Sequence, residues 1–218
     1  MPSLKQANAK YVESIIKYPL LTKAITGAIL NGLNEIISTT VTSDYSTTEI
    51  LGYKVNHVLS PKLIKMIIYG GLISTPVSHY MYHIINNKIF TGQLSKLGKI
   101  LQLLTSLLTV TPTICGIFVS WVSLINNYKV DKGEFNLKKE VAKMVGIVKT
   151  GLQRGYKGIL KTALVTSFVS LIVAQKYIPQ ELWVVFFSSV SFVLGTIQNI
   201  KLKKLQKQAR LDKEEKSE

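Results

Sequence analysis

Three stretches of the chain carry no Asp, Glu, Lys or Arg: 22 residues at Met66–Asn87, 29 at Ile100–Tyr128 and 19 at Leu182–Ile200. About 20 mostly apolar residues suffice for a helix to cross the hydrocarbon layer of a bilayer. A surface helix of a soluble domain needs a polar face, and three charge-free runs in 218 residues do not supply one. Hydrophobic residues make up 47%, an ordinary share, so their placement decides the class rather than their number. The expectation is an all-α, polytopic membrane helical bundle of four to five transmembrane helices. Its membrane domain covers residues 18–201, between an N-terminal tail at 1–17 and a charged C-terminal tail at 202–218.

Five apolar helices are expected, near residues 19–41, 62–87, 100–127, 158–175 and 181–201. The first opens at Pro19, a favoured first-turn residue, and places Ala24, Ala28 and Gly32 four residues apart on one face. Gly70 and Ser74 repeat that spacing in the second helix. Such ridges let helices approach closely in lipid. Pro76 and Pro112 are expected to kink their helices, because proline lacks a donor and crowds the preceding turn. Residues 42–60 are polar and read as a loop, and 175–181 as a tight turn. The fourth helix is short for a span, so four and five crossings both remain open.

The formal net charge is +15. Lys and Arg cluster between the apolar runs and after the last one, as in basic loops beside membrane spans. With five crossings, one side carries 18 of them and the other 7; the richer side is the cytosol or its equivalent. Residues 129–157 combine lysines with Leu137, Val141, Met144, Val145, Val148 and Leu152 at a helical period. That pattern fits a surface-lying amphipathic helix, or a cap on the bundle, able to contact anionic lipid. Besides the lipid bilayer, a homo-oligomer is compatible with this reading. No nucleic-acid recognition motif is visible.

Chemistry-bearing patterns are sparse. His79 and His83 share a helical face, but the segment reads HYMYH where a zinc protease helix needs HExxH. No Cys or carboxylate cluster completes a metal shell, so neither metal nor cofactor is expected. The single cysteine, Cys115, reads as a packing residue. Converging titratable groups, which catalysis requires, cannot be assembled, and no enzyme is expected. Polar groups in apolar helices are costly against lipid and so face other helices or a wet cavity. Glu35, His79, Tyr82, His83 and Asn86 are the candidates.

Two segments carry a resemblance. YPLLTKAITGAILNGLNEIIS, with Tyr18, Pro19, Thr22, Lys23, Gly32 and Glu35, resembles the opening helix of the family grouping Mpv-seventeen with the 22-kDa peroxisomal membrane protein. IYGGLISTPVSHYMYHIINNKIF resembles its second helix through Tyr69, Gly70, Pro76, His79, Tyr82 and Phe90, with Thr75 where the family carries glycine. The likeness extends over residues 18–201. The family's tryptophan-proline signature before the last proline is absent; Ser167, Phe168, Leu171, Ala174 and Gln175 stand there, and Trp183 replaces the arginine after it. The chain is thus similar to a divergent member. The resemblance implies an organelle membrane protein, peroxisomal in preference to the mitochondrial inner membrane. Its function would be a channel for small solutes or, alternatively, a structural, tethering or homeostasis role.

Overall fold

The computed structural model describes residues 4–50, 53–129, 136–178 and 183–214. These residues are overwhelmingly helical. Helix α1 spans Leu4–Lys17 and α2 Pro19–Thr42, followed by a hairpin of β1 (Ser46–Ile50) and β2 (Tyr53–His57). Helices α3 (Pro61–Ile68) and α4 (Thr75–Ile84) are joined by a π-turn at Tyr69–Ser74, and a second π-turn, Ile85–Ile89, ends that path. Then come α5 (Lys96–Asn127), α6 (Leu137–Gly151), a π-turn at Leu152–Tyr156, α7 (Lys157–Tyr177) and α8 (Trp183–Glu214).

Local chemistry sets these boundaries. Pro19 and Pro61 open α2 and α3 where no N–H is needed. The side chains of Ser60, Ser95 and Asn136 cap α3, α5 and α6 by accepting from first-turn backbone N–H groups. Helix α2 ends with Ser43 left-handed at φ 52°; the Ser43 and Asp44 N–H groups turn back to the Thr40 and Thr39 carbonyls. That turn brings Asp44 to Lys62 at 2.8 Å, tying the hairpin's base to α3.

Inter-helix contacts close the long elements into a ring. The α3–α4 path runs antiparallel to α2, with Gly71 against Ala24 and Ala28 above and Gly32 against Ile67 and Leu63 below. Helix α5 packs antiparallel on that path, Tyr69 lying 5.8 Å from Phe118 and 6.3 Å from Trp121 between ring centres. The α6–α7 path returns along α5, and α8 returns along α7 to meet α2. Four antiparallel steps bring α8 back parallel to α2, as the pairs Asn34–Thr196, Glu35–Asn199 and Thr39–Lys203 record. The core comprises Met66, Tyr69, Cys115, Phe118, Val119, Val122, Ile159, Ala163 and Leu202.

Much of the outward surface of the long helices is apolar. Leu21, Ile25, Ile29, Leu33, Ile37 and Val41 form an exposed stripe down α2, and Val165, Phe168, Val169 and Ile172 do so on α7. Asn34, Glu35, Ser38, Thr39, Gln198, Asn199 and Lys203 are buried. Among the described residues, two helical paths are long and apolar enough to cross a membrane, Leu97–Asn127 and Leu137–Ala174.

Several expectations need correction. Residues 42–60 hold a β-hairpin, built from the β-favouring Thr, Val and Tyr side chains of STTEI and YKVNH. The N-terminal tail contains α1, which folds back on α2 through Tyr11 Oη and Thr26 Oγ1, 3.3 Å apart. Within the basic segment 129–157, the described residues from Asn136 on form no separate surface helix. Its α6 continues through the π-turn into α7 and packs along α5, where Tyr128 donates to Glu140 at 2.8 Å. Nor does the C-terminal tail begin at 202, since α8 runs to Glu214 and buries Leu202 and Lys203. Pro76 is absorbed by the π-turn before it: the Thr75 N–H reaches the Gly70 carbonyl, which the Thr75 hydroxyl also bonds at 2.7 Å. Pro112 lies inside the continuous helix α5, and its carbonyl accepts from Tyr156 Oη at 3.3 Å. The tight turn at 175–181 falls partly outside the described residues.

Candidate functional site

The ring lines a partly open cavity of about 540 Å³, within the range of small-molecule sites. Helix α2 contributes Lys23, Thr26, Asn31 and Asn34 to its wall, and the α3–α4 path adds Ser74, Ser78, His79 and Tyr82. Mostly apolar side chains of α5, α7 and α8 complete it, with Gln198 and Asn199 at depth and Tyr11 of α1 at the Lys23 end. From Lys23 to Asn34 the wall rises by roughly 16 Å at the α-helical repeat. The cavity therefore reaches from the end of the bundle beside α1 more than halfway along α2.

Its inner end rests on a buried charge cluster. Lys203 Nζ lies 2.7 Å from Glu35 Oε1, with both side chains almost fully buried. Asn199 Nδ2 donates to Glu35 Oε2 at 2.9 Å and to Ser38 Oγ at 2.8 Å. Lys203 also donates to Thr39 Oγ1 at 2.7 Å, and Asp44 stands 3.7 Å away. The Thr196 hydroxyl donates to Asn34 Oδ1. Every heavy polar atom of the pair thus has a partner, the condition under which a buried ion pair is tolerated.

The sequence candidates separate into three places. His79 and Tyr82 line the cavity. Glu35 lies beneath it, joined to the wall through Asn199. His83 and Asn86 are exposed outside it, Asn86 accepting from Gln102 at 3.0 Å. Ala24, Ala28, Gly32 and Gly70 lie at the α2 contact with the α3–α4 path, while Ser74 lines the cavity. Gly27 and Gly71 were not singled out, yet Gly27 faces Gly70 backbone to backbone. Lys203, Asn199 and Thr196 were missed. Thr196, Asn199 and Lys203 share one face of α8 at i, i+3 and i+7, and it is the register of α8 on α2 that pairs them with Asn34, Glu35, Ser38 and Thr39.

Apolar outward faces, a buried charge pair and a partly polar cavity fit a helical membrane protein. The chain is 30% identical over 201 residues to the Woronin body membrane protein wscA of Aspergillus fumigatus, covering 92% of this chain and 78% of that one. It is 28% identical to a Woronin sorting complex protein of Neurospora crassa over 89% of this chain, spanning only 56% of that relative's length. It is 22% identical to peroxisomal membrane protein PMP22 of Arabidopsis thaliana over 94% of both chains. The chain belongs to the Mpv-seventeen and 22-kDa peroxisomal membrane protein family, and it is an organelle membrane protein. No family profile matches it, and no solved structure does.

Proposed function

We propose that this chain is a non-enzymatic, multi-pass protein of the peroxisomal membrane that lets small solutes pass through its central cavity. The observation that carries the reading is the cavity itself: about 540 Å³, partly polar, inside a bundle whose outer faces are apolar. Polar groups inside a membrane helix bundle are retained where they line a path or pair with each other. The ring of five elements and the exposed apolar stripe of α2 support five crossings over four in this reading. The Glu35–Lys203 cluster closes the inner end of the cavity, so passage requires α8 to shift against α2.

The test is release of uncharged tracers of graded size from proteoliposomes holding the full chain. Rapid loss of glycerol and erythritol with retention of a tetrasaccharide is expected. Retention of every tracer by folded protein would refute passage. A second reading has its own support, since one relative is named for a sorting complex. The exposed lysines Lys138, Lys139 and Lys149 of α6 would then dock a partner. Reversing their charge should abolish partner recovery and leave permeability intact.

A further inference from the structure

The charge inside the cavity has one sign. Among the described lining residues, Lys23 is the only Lys, Arg, Asp or Glu. The nearest carboxylates are committed elsewhere: Glu35 to Lys203 and Asn199, and Asp44 to Lys62. At depth the wall holds a second feature. Gln198 is 8% exposed, and its Nε2 is a buried donor with no acceptor among the described residues. A buried donor without a partner is costly, and a ligand acceptor removes that cost. Lys23 and Gln198 stand at opposite ends of the cavity, about 16 Å apart along the bundle at the helical rise.

We infer that the cavity selects small organic anions, the carboxylate class above all, with exposed Lys23 drawing them in at the mouth and Gln198 donating to them at depth when the shift of α8 uncovers its Nε2. The inference rests on the solute-passage reading and adds a sign to it. A lone fixed charge with low-dielectric walls concentrates counter-ions and excludes like charges, the logic by which lysines select anions in pores. A cation entering the same cavity would meet Lys23 and find no free carboxylate among the described wall residues. Thr26, Thr75 and Ser78 already donate their hydroxyl protons to backbone carbonyls, so they face the cavity as acceptors. They suit the hydroxyl groups of a hydroxy acid rather than its carboxylate.

The experiment is the reversal potential of the full chain in a planar bilayer under a gradient of potassium acetate. Wild type and Lys23→Arg are expected to favour acetate over potassium by about threefold or more, and Lys23→Glu to invert the preference. Gln198→Leu should lower acetate conductance without changing its sign. Equal or cation-favouring permeability in a conducting wild type overturns the inference and leaves solute passage standing. Absence of any conductance counts against passage instead, and the anion site is then judged by thermal melting of the detergent-purified protein. Stabilisation by succinate but not choline, lost in Lys23→Glu, supports it; no such difference overturns it. Circular dichroism of each variant separates lost selectivity from lost folding.

Discussion

Glu35 sits in the interior of an apolar-faced bundle because Lys203 is 2.7 Å away and Asn199 and Thr39 complete its hydrogen bonds. Removing one member of a buried pair leaves the other charge unpaired, which costs about 3–5 kcal/mol. Replacing both members with apolar groups is often close to neutral. Glu35→Leu and Lys203→Met should each lower the melting temperature sharply, and the double variant should recover most of the loss. Additive losses in a double-mutant cycle would show that the pair is not coupled. Glu35 was legible as an internal polar residue because a carboxylate within an apolar helix needs a partner. Lys203 was not, because it follows Lys201 and precedes Lys204 in a run that looks solvated. Only the folded register of α8 on α2 singles it out.

At the scale of elements, α2 and the π-turn at Tyr69–Ser74 meet backbone to backbone. A methyl group at Gly70 would collide with the Gly27 carbonyl oxygen, which is backbone and cannot swing away. Gly70→Ala should therefore destabilise the bundle by about 3 kcal/mol, at the upper end for overpacking. Ala28→Gly on the same ridge should be far milder, near the cost of glycine in a helix, about 1 kcal/mol. Detergent-phase thermal unfolding compares the two; equal effects would contradict the packing. The tail gives a second contrast. Truncation after Ile200 removes Leu202 and Lys203 and should prevent stable folding, whereas truncation after Gln208 should be tolerated. Protease resistance of the two truncated chains distinguishes them.

The elements themselves were largely legible. Charge-free length and proline placement marked α2, the α3–α4 path, α5 and α8. The π-turns were not, since hydropathy patterns do not distinguish a wide turn from an α-turn. Nor was the joining of α6 to α7. Lysines on α6 resemble those of a surface helix, and the deciding residues are Gly151 and Gly155, which let that path lie against Ser123 of α5 and Leu202 of α8. The cavity had only a partial signal, His79 and Tyr82. Its wall is assembled from single positions on separate helices, and no local period links Lys23 to Gln198.

For the molecule as a whole, the account turns on whether solutes move through the ring or past it. Ser167 of α7 and Ser191 of α8 both line the cavity and carry small side chains. Tryptophan at either place adds a large volume to the lumen while leaving the Glu35–Lys203 cluster and the outer faces unchanged. The decisive measurement is the erythritol release rate from proteoliposomes containing wild type, Ser167→Trp or Ser191→Trp, at equal incorporation and matched secondary structure. A path through the cavity predicts fast release for wild type and at least a roughly tenfold slower rate for one of the tryptophan variants, as expected when a hydrophobic constriction narrows a pore. Equal rates in all three, or no release above empty liposomes, would contradict it.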